Sequence, residues 1–226
     1  MTEKQKNTLY EATQSRIVNF NEIGITNDLM FGTVYKNPEY CKELLQRILQ
    51  INIVEIGIVE PQKTIKTTII GKGIRIDIYA KDNQGNVYDI EMQSTEETDL
   101  HLRTRYYHSE MDSYQIRAGQ KYKNLKNSVV IFICTFDPFD EGLYRYTFEE
   151  CCLETGKPLG DETRKIFLNT KGTNDVEVPK ELVHFLKYME NSSDETVAEN
   201  HDESIQMLHD RVRKLKQWRE LEGRYM

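Results

Sequence analysis

The sequence predicts an α/β domain, a central mixed β-sheet flanked by helices, with a helical C-terminal extension. Three observations carry that expectation. Residues 73–93, G-I-R-I-D-I-Y-A-K-D-N-Q-G-N-V-Y-D-I-E-M-Q, place two runs rich in β-branched and aromatic residues around a polar knot, the signature of a hairpin. Residues 128–136, S-V-V-I-F-I-C-T-F, form a continuous apolar run suited to a central strand covered on both faces. Stretches at 38–50, 99–118 and 181–189 repeat apolar residues at spacings of three and four, as amphipathic helices do.

In chain order, residues 1–22 are polar and read as an N-terminal arm. Thr26 is the expected cap of a first helix, with Asp28 in its first turn. Asp28 either complements the helix dipole or points a carboxylate into a site. Asn37-Pro38 is a helix start, cap followed by proline, and Cys41, Leu44, Leu45, Ile48 and Leu49 give that helix its buried stripe. Strand-like runs around Pro61 lead into the hairpin.

Strand side chains alternate faces. Ile74, Ile76 and Ile78 are therefore expected on one face, with Arg75, Asp77 and Tyr79 on the other. A loop of Asn83, Gln84 and Gly85, with Gly85 left-handed, pairs residues whose numbers sum to 168. Asp77 then opposes Glu91, and Arg75 opposes Gln93. Facing carboxylates have Cβ atoms about 5 Å apart, and like charges so placed destabilise a sheet. Two readings stand: a solvated hairpin screened by Arg75 and water, or a pair that holds a divalent metal. Hard oxygen donors of this kind suit Mg²⁺, with Mn²⁺ as its substitute. Asp89 shares the face of Glu91 and is expected at an edge, solvated.

The helix from Asp99 to Ala118, ended by Gly119, carries Leu100, Arg103, Tyr107, Met111 and Tyr114 on one stripe. An arginine on an inward stripe requires a carboxylate or phosphate partner. Past the 128–136 run, residues 139–175 read as shorter exposed elements. Residues 23–190 then form the principal domain, 191–202 an acidic linker and 203–226 a final helix. Ile205, Leu208, Val212, Leu215 and Trp218 make an apolar stripe on that helix, a candidate homodimer interface.

The net charge of −7 argues against a generic nucleic-acid coat. The charge is segregated, however. Residues 101–126 hold six Lys/Arg against two acids, and residues 137–163 hold eight acids against two bases. The basic segment offers Arg103, Arg105, Arg117 and Lys121 to phosphates. No apolar run reaches the length of a membrane span, no secretory signal is visible, and the four cysteines make no C-x-x-C pair. A reduced, cytoplasmic protein without membrane partners is expected.

D-x(13)-E-x-Q on a hairpin, followed by a helix bearing R-T-R-Y-Y-H-S-E-M-D-S-Y-Q-I-R-A-G-Q-K-Y, resembles the PD-(D/E)XK nuclease superfamily. Within it the chain is similar to the transposase-associated, recombination-promoting nucleases. T-N-D-L-M-F-G-T-V-Y near the start and V-V-I-F-I-C-T-F-D-P-F complete a match over residues 25–150, in order. The resemblance implies a restriction-endonuclease-like core and Mg²⁺-dependent cleavage of DNA phosphodiesters, in transposition, recombination or phage defence. It implies metal ligation by Asp77, Glu91 and Asp28. Gln93 stands where many members have a catalytic lysine; an amide can orient water but cannot act as a general base. Arg103 and Tyr107 would contact the scissile phosphate. RNA is open as a substrate on the same chemistry. The alternative is a catalytically weak, nuclease-derived module that binds DNA or recruits a partner.

Overall fold

The computed structural model describes residues 23–68 and 70–217. The expected arm at 1–22 and Trp218 lie outside them. Helices α1 (Asp28–Tyr35) and α2 (Pro38–Leu49) precede strands β1 (Ile56–Ile65), β2 (Ile74–Asp82) and β3 (Val87–Gln93). Helix α3 (Leu100–Gln115) crosses to β4 (Ser128–Cys134), followed by β5 (Arg145–Phe148) and β6 (Thr163–Asn169). Helices α4 (Lys180–Glu190), α5 (Asp194–Asn200) and α6 (Glu203–Lys216) close the described chain.

The six strands form one sheet in the order β1-β2-β3-β4-β6-β5. The β1-β2, β2-β3 and β5-β6 pairs are antiparallel, while β3-β4 and β4-β6 are parallel. The sheet is mixed, as expected of a restriction-endonuclease-like α/β core. Its larger hydrophobic core packs under α1, α2 and the C-terminal helices. The smaller one lies under α3 alone, with Leu100, Tyr107 and Met111 against Phe132, Val130 and Phe167.

The hairpin register matches the sequence reading. Ile78 pairs Ile90, Tyr79 pairs Asp89, Ala80 pairs Tyr88 and Lys81 pairs Val87. The turn sets this register locally. The Asp82 carboxylate accepts the Gln84 and Asn86 N–H groups at 2.9 Å each, and Gly85 takes the left-handed conformation at φ +92°.

Four expectations are corrected. Asn27, not Thr26, caps α1, its Oδ1 accepting from Leu29 and Met30 N–H. Helix α3 ends at Gln115 rather than Ala118, because the chain turns extended at Ile116 and Gln115 Oε1 accepts Lys126 N–H. Asp89 is not at an edge: β3 lies between β2 and β4, and all seven of its residues are buried.

The fourth correction concerns the C-terminal segment. Residues 194–200 form a helix, capped by the Ser193 hydroxyl, in what was expected to be linker. Ile205, Leu208, Val212 and Leu215 are buried in the larger core of the same chain, so among the described residues that stripe is no self-association surface. Each such side chain contributes about 2 kcal/mol by burial. Arg47 fixes the junction, its Nη1 and Nη2 donating to Asp202 Oδ2 and Oδ1 at 3.0 and 3.3 Å. Asp202 Oδ1 also caps α6 through Ser204 and Ile205 N–H.

Candidate active site

The site forms where the β2-β3 ladder stops. Backbone pairing runs from Lys81↔Val87 to Ile78↔Ile90, and the next pair in that register is Asp77 and Glu91. There, side chains replace backbone partners. Asp77 N–H donates to Glu91 Oε1 at 2.9 Å, and Met92 N–H donates to Asp77 Oδ2 at 3.1 Å. The strand also turns over at Asp77. Ile74 and Ile76 pack in the smaller core with Tyr79, whereas Ile78 packs in the larger one with Ala80. Strict alternation would have kept the three isoleucines together, so that expectation fails. Across from Asp77, Gln62 lies between the Pro61↔Ile78 and Lys63↔Ile76 pairs with φ +53°. A non-glycine residue in that region costs about 1 kcal/mol or more. The kink sits beside the carboxylates.

Helix α3 brings Arg103 onto this pair. Its Nη2 donates to Glu91 Oε2 at 3.2 Å and to the Tyr107 hydroxyl at 3.2 Å. Its Nη1 donates to Gln93 Oε1 at 3.0 Å and Glu97 Oε2 at 2.9 Å. The guanidinium carbon lies 5.0 Å from the centre of the Phe132 ring. The inward arginine thus has its carboxylate partner. Gln93 is held at both ends, since its Nε2 donates to Thr95 O at 2.5 Å.

Three carboxyls share the buried volume. Burial raises the pKa of Asp77, and the charge of Asp28 adds to the rise. Burial and the Asp77 charge bring Glu91 up to about 7. Asp89, fully buried beside Glu91, is raised well above the carboxylate range by burial and by the Glu91 charge. As a carboxylate Asp89 has no hydrogen-bond partner for either oxygen. Protonated, it donates to Glu91. Sequence reasoning placed this third carboxyl on the face of Glu91 by the shared parity of 89 and 91, but expected it solvated rather than buried.

Asp28 is exposed in the first turn of α1. Arg103, Arg105, Tyr106 and Tyr107 line one side of a cleft of about 600 Å³, and Lys72 and Arg75 line the other. Sequence reasoning did not single out Lys72 and Arg75 for this cleft; the short run G-K-G-I-R at residues 71–75 was their signal. Arg117 and Lys121 are not brought to this cleft. They are exposed past the far end of α3, where Arg117 borders a separate cavity with Lys66 and Gln120. Among the described residues no group of three or more His, Cys, Asp or Glu is arranged around a metal position.

A family model described as PD-(D/E)XK nuclease family transposase matches residues 28–225. The chain belongs to that family. No curated protein and no solved structure matches it. The D-x(13)-E-x-Q spacing of Asp77, Glu91 and Gln93 lies within the matched residues. The α/β core and a nuclease-related function follow from membership. No helix among the described residues is long and apolar enough to cross a membrane.

Proposed function

We propose that the protein is a metal-dependent endonuclease that hydrolyses DNA phosphodiester bonds in a transposition or recombination setting. One observation carries the reading: half-buried Asp77 and buried Glu91 meet where the β2-β3 backbone ladder opens, both with raised pKa values. Two like charges are gathered there at a cost in solvation, and a divalent cation relieves that cost.

The donor chemistry fits Mg²⁺ or Mn²⁺. These cations bind through one or two carboxylates together with water and phosphate oxygens, so Asp77 and Glu91 suffice as protein ligands. Asp28 on the adjacent helix would add a third charge. Bound there, the cation lowers the pKa of water and offsets phosphate charge. The remaining work falls to the chain's own groups. Arg103 and Tyr107 bind a non-bridging phosphate oxygen, and Gln93, fixed by Arg103 and Thr95, orients the attacking water. Lys72, Arg75 and Arg105 hold flanking phosphates. Arg117 and Lys121 would act only on nucleic acid long enough to pass the far end of α3.

Plasmid DNA incubated with the purified chain and Mg²⁺ or Mn²⁺ tests the reading, with matched RNA as a second substrate. Wild type is expected to nick or cut the DNA and Asp77→Ala to leave it intact. Equal outcomes for the two proteins contradict it.

A second reading draws on Arg103 itself. Its bonds to Glu91 and Gln93 neutralise the site without a metal, as suits a DNA-binding module of weak or lost activity. Strongly salt-dependent binding, no cleavage and no effect of EDTA would support it.

A further inference from the structure

Helix α3 borders a second cavity, of about 380 Å³, whose lining differs from that of the phosphate cleft. Leu102 and Arg105 line both, so the two cavities adjoin along one helix. Beyond them the wall is aromatic, built from Phe139, Phe148 and Phe167. Phe148 packs against Phe139 at 5.2 Å between ring centres and edge-on against Phe167 at 5.9 Å, yet remains 43% exposed. Leu102 opposite is 47% exposed. Two acids at this pocket are already matched: Glu149 accepts from Arg164 at 2.5 Å and Glu150 from Lys165 at 3.1 Å.

A ring that is held by two others but still faces solvent is a stacking platform. Every nucleobase has a π-face that such a ring can cover. Within an intact duplex those faces are covered by neighbouring pairs. An aromatic pocket that adjoins a phosphate cleft therefore serves a strand whose bases are unpaired.

We propose that the Leu102–Phe148 pocket takes an unpaired nucleobase of the strand whose phosphates lie along Lys72, Arg75 and Arg105. The preferred substrate class is then DNA with a single-stranded or frayed segment beside the cleaved bond. This rests on the endonuclease reading and narrows its substrate. Arg105, common to both cavities, contacts the phosphate that joins the stacked nucleotide to the strand.

The test uses the whole chain in EDTA, so that binding is read without cleavage. The probes are a short single-stranded DNA carrying one 2-aminopurine and the same strand in a duplex, followed by anisotropy and by 2-aminopurine emission. Several-fold tighter binding of the single strand, with quenched emission, is expected. Phe148→Ala and Phe148→Leu should each weaken single-strand binding about tenfold and remove the quench, whereas Phe148→Trp keeps both. The salt slope should stay unchanged in these variants and flatten in Arg75→Ala. Phe148→Leu retains apolar bulk, so its thermal unfolding separates lost stacking from lost packing. Equal affinity for the two probes, with the Phe148 variants matching wild type, overturns the inference and leaves the endonuclease reading standing. So does unchanged 2-aminopurine emission on bound single-stranded DNA. Absence of binding to either probe overturns the inference, and plasmid cutting in Mg²⁺ or Mn²⁺ then decides the endonuclease reading separately.

Discussion

Arg103 Nη2 lies 3.2 Å from Glu91 Oε2, so a guanidinium from helix α3 neutralises the carboxylate that strand β3 buries at the end of the hairpin ladder. The relationship joins two elements separated by a turn, and it opposes the rise that burial and Asp77 impose on Glu91. Removing one member of a buried pair leaves the other charge uncompensated. Arg103→Ala is expected to lower unfolding free energy by about 2 kcal/mol at pH 8, below the usual cost of a fully buried pair because Arg103 is partly exposed. The loss should shrink at pH 5.5, where Glu91 takes up a proton. Urea titrations at both pH values check this, and an equal loss at each would contradict it.

The pH dependence of stability has a definite sign at this cluster. Burial and Asp77 raise Glu91 to about 7, so between about pH 4.5 and that value the folded chain binds more protons than the unfolded one. The stabilising contribution is complete at the acid end and declines as pH rises through that window, by at most about 1.4 kcal/mol per pH unit for each proton. Urea midpoints measured in EDTA should show the decline, and Glu91→Gln should flatten it. Added Mn²⁺ should stabilise the protein more at pH 8 than at pH 6, since deprotonated carboxyls bind it.

Gln93 invites substitution by the lysine that the superfamily resemblance implies at this position, and the structure predicts a poor outcome. Arg103 Nη1 donates to Gln93 Oε1, so Gln93→Lys sets an ammonium against a guanidinium. Loss of stability of about 1 kcal/mol and no gain in cleavage are expected, read by thermal unfolding and plasmid nicking. A large gain in cleavage would show that Arg103 yields its place readily.

Asp202 accepts two bonds from Arg47 and caps α6. Asp202→Ala should cost about 3 kcal/mol, the sum of a broken part-buried pair and a lost cap. A chain ending near residue 200 should unfold without cooperativity, because Ile205, Leu208, Val212 and Leu215 complete the larger core. Calorimetry and sizing decide this; a stable, cooperatively folding truncation would contradict it.

What the sequence disclosed was local in origin. The hairpin register was legible because Asp82 and Gly85 define their own turn. Arg103 was legible as misplaced because a charge interrupted an apolar stripe. Asp89 was misread because nothing in its own strand announces a parallel neighbour, and β4 arrives only after α3. The turnover at Asp77 was hidden for a related reason: period-two reasoning assumes an unbroken backbone, and the break lies at the site itself. The final helix showed that one of its faces is buried but not which partner buries it, so its stripe was read as an interface between copies. Lys72 and Arg75 were passed over because the cleft they line exists only once α3 folds back across the hairpin.

The central claim is that Asp77 and Glu91 jointly hold a divalent cation. Anomalous diffraction from crystals soaked in Mn²⁺ measures it most directly. The account predicts a manganese peak bonded to one oxygen of each carboxylate, at about 2.1 Å, with Arg103 displaced from Glu91. No peak there, and Arg103 still bonded to Glu91 Oε2, would contradict it.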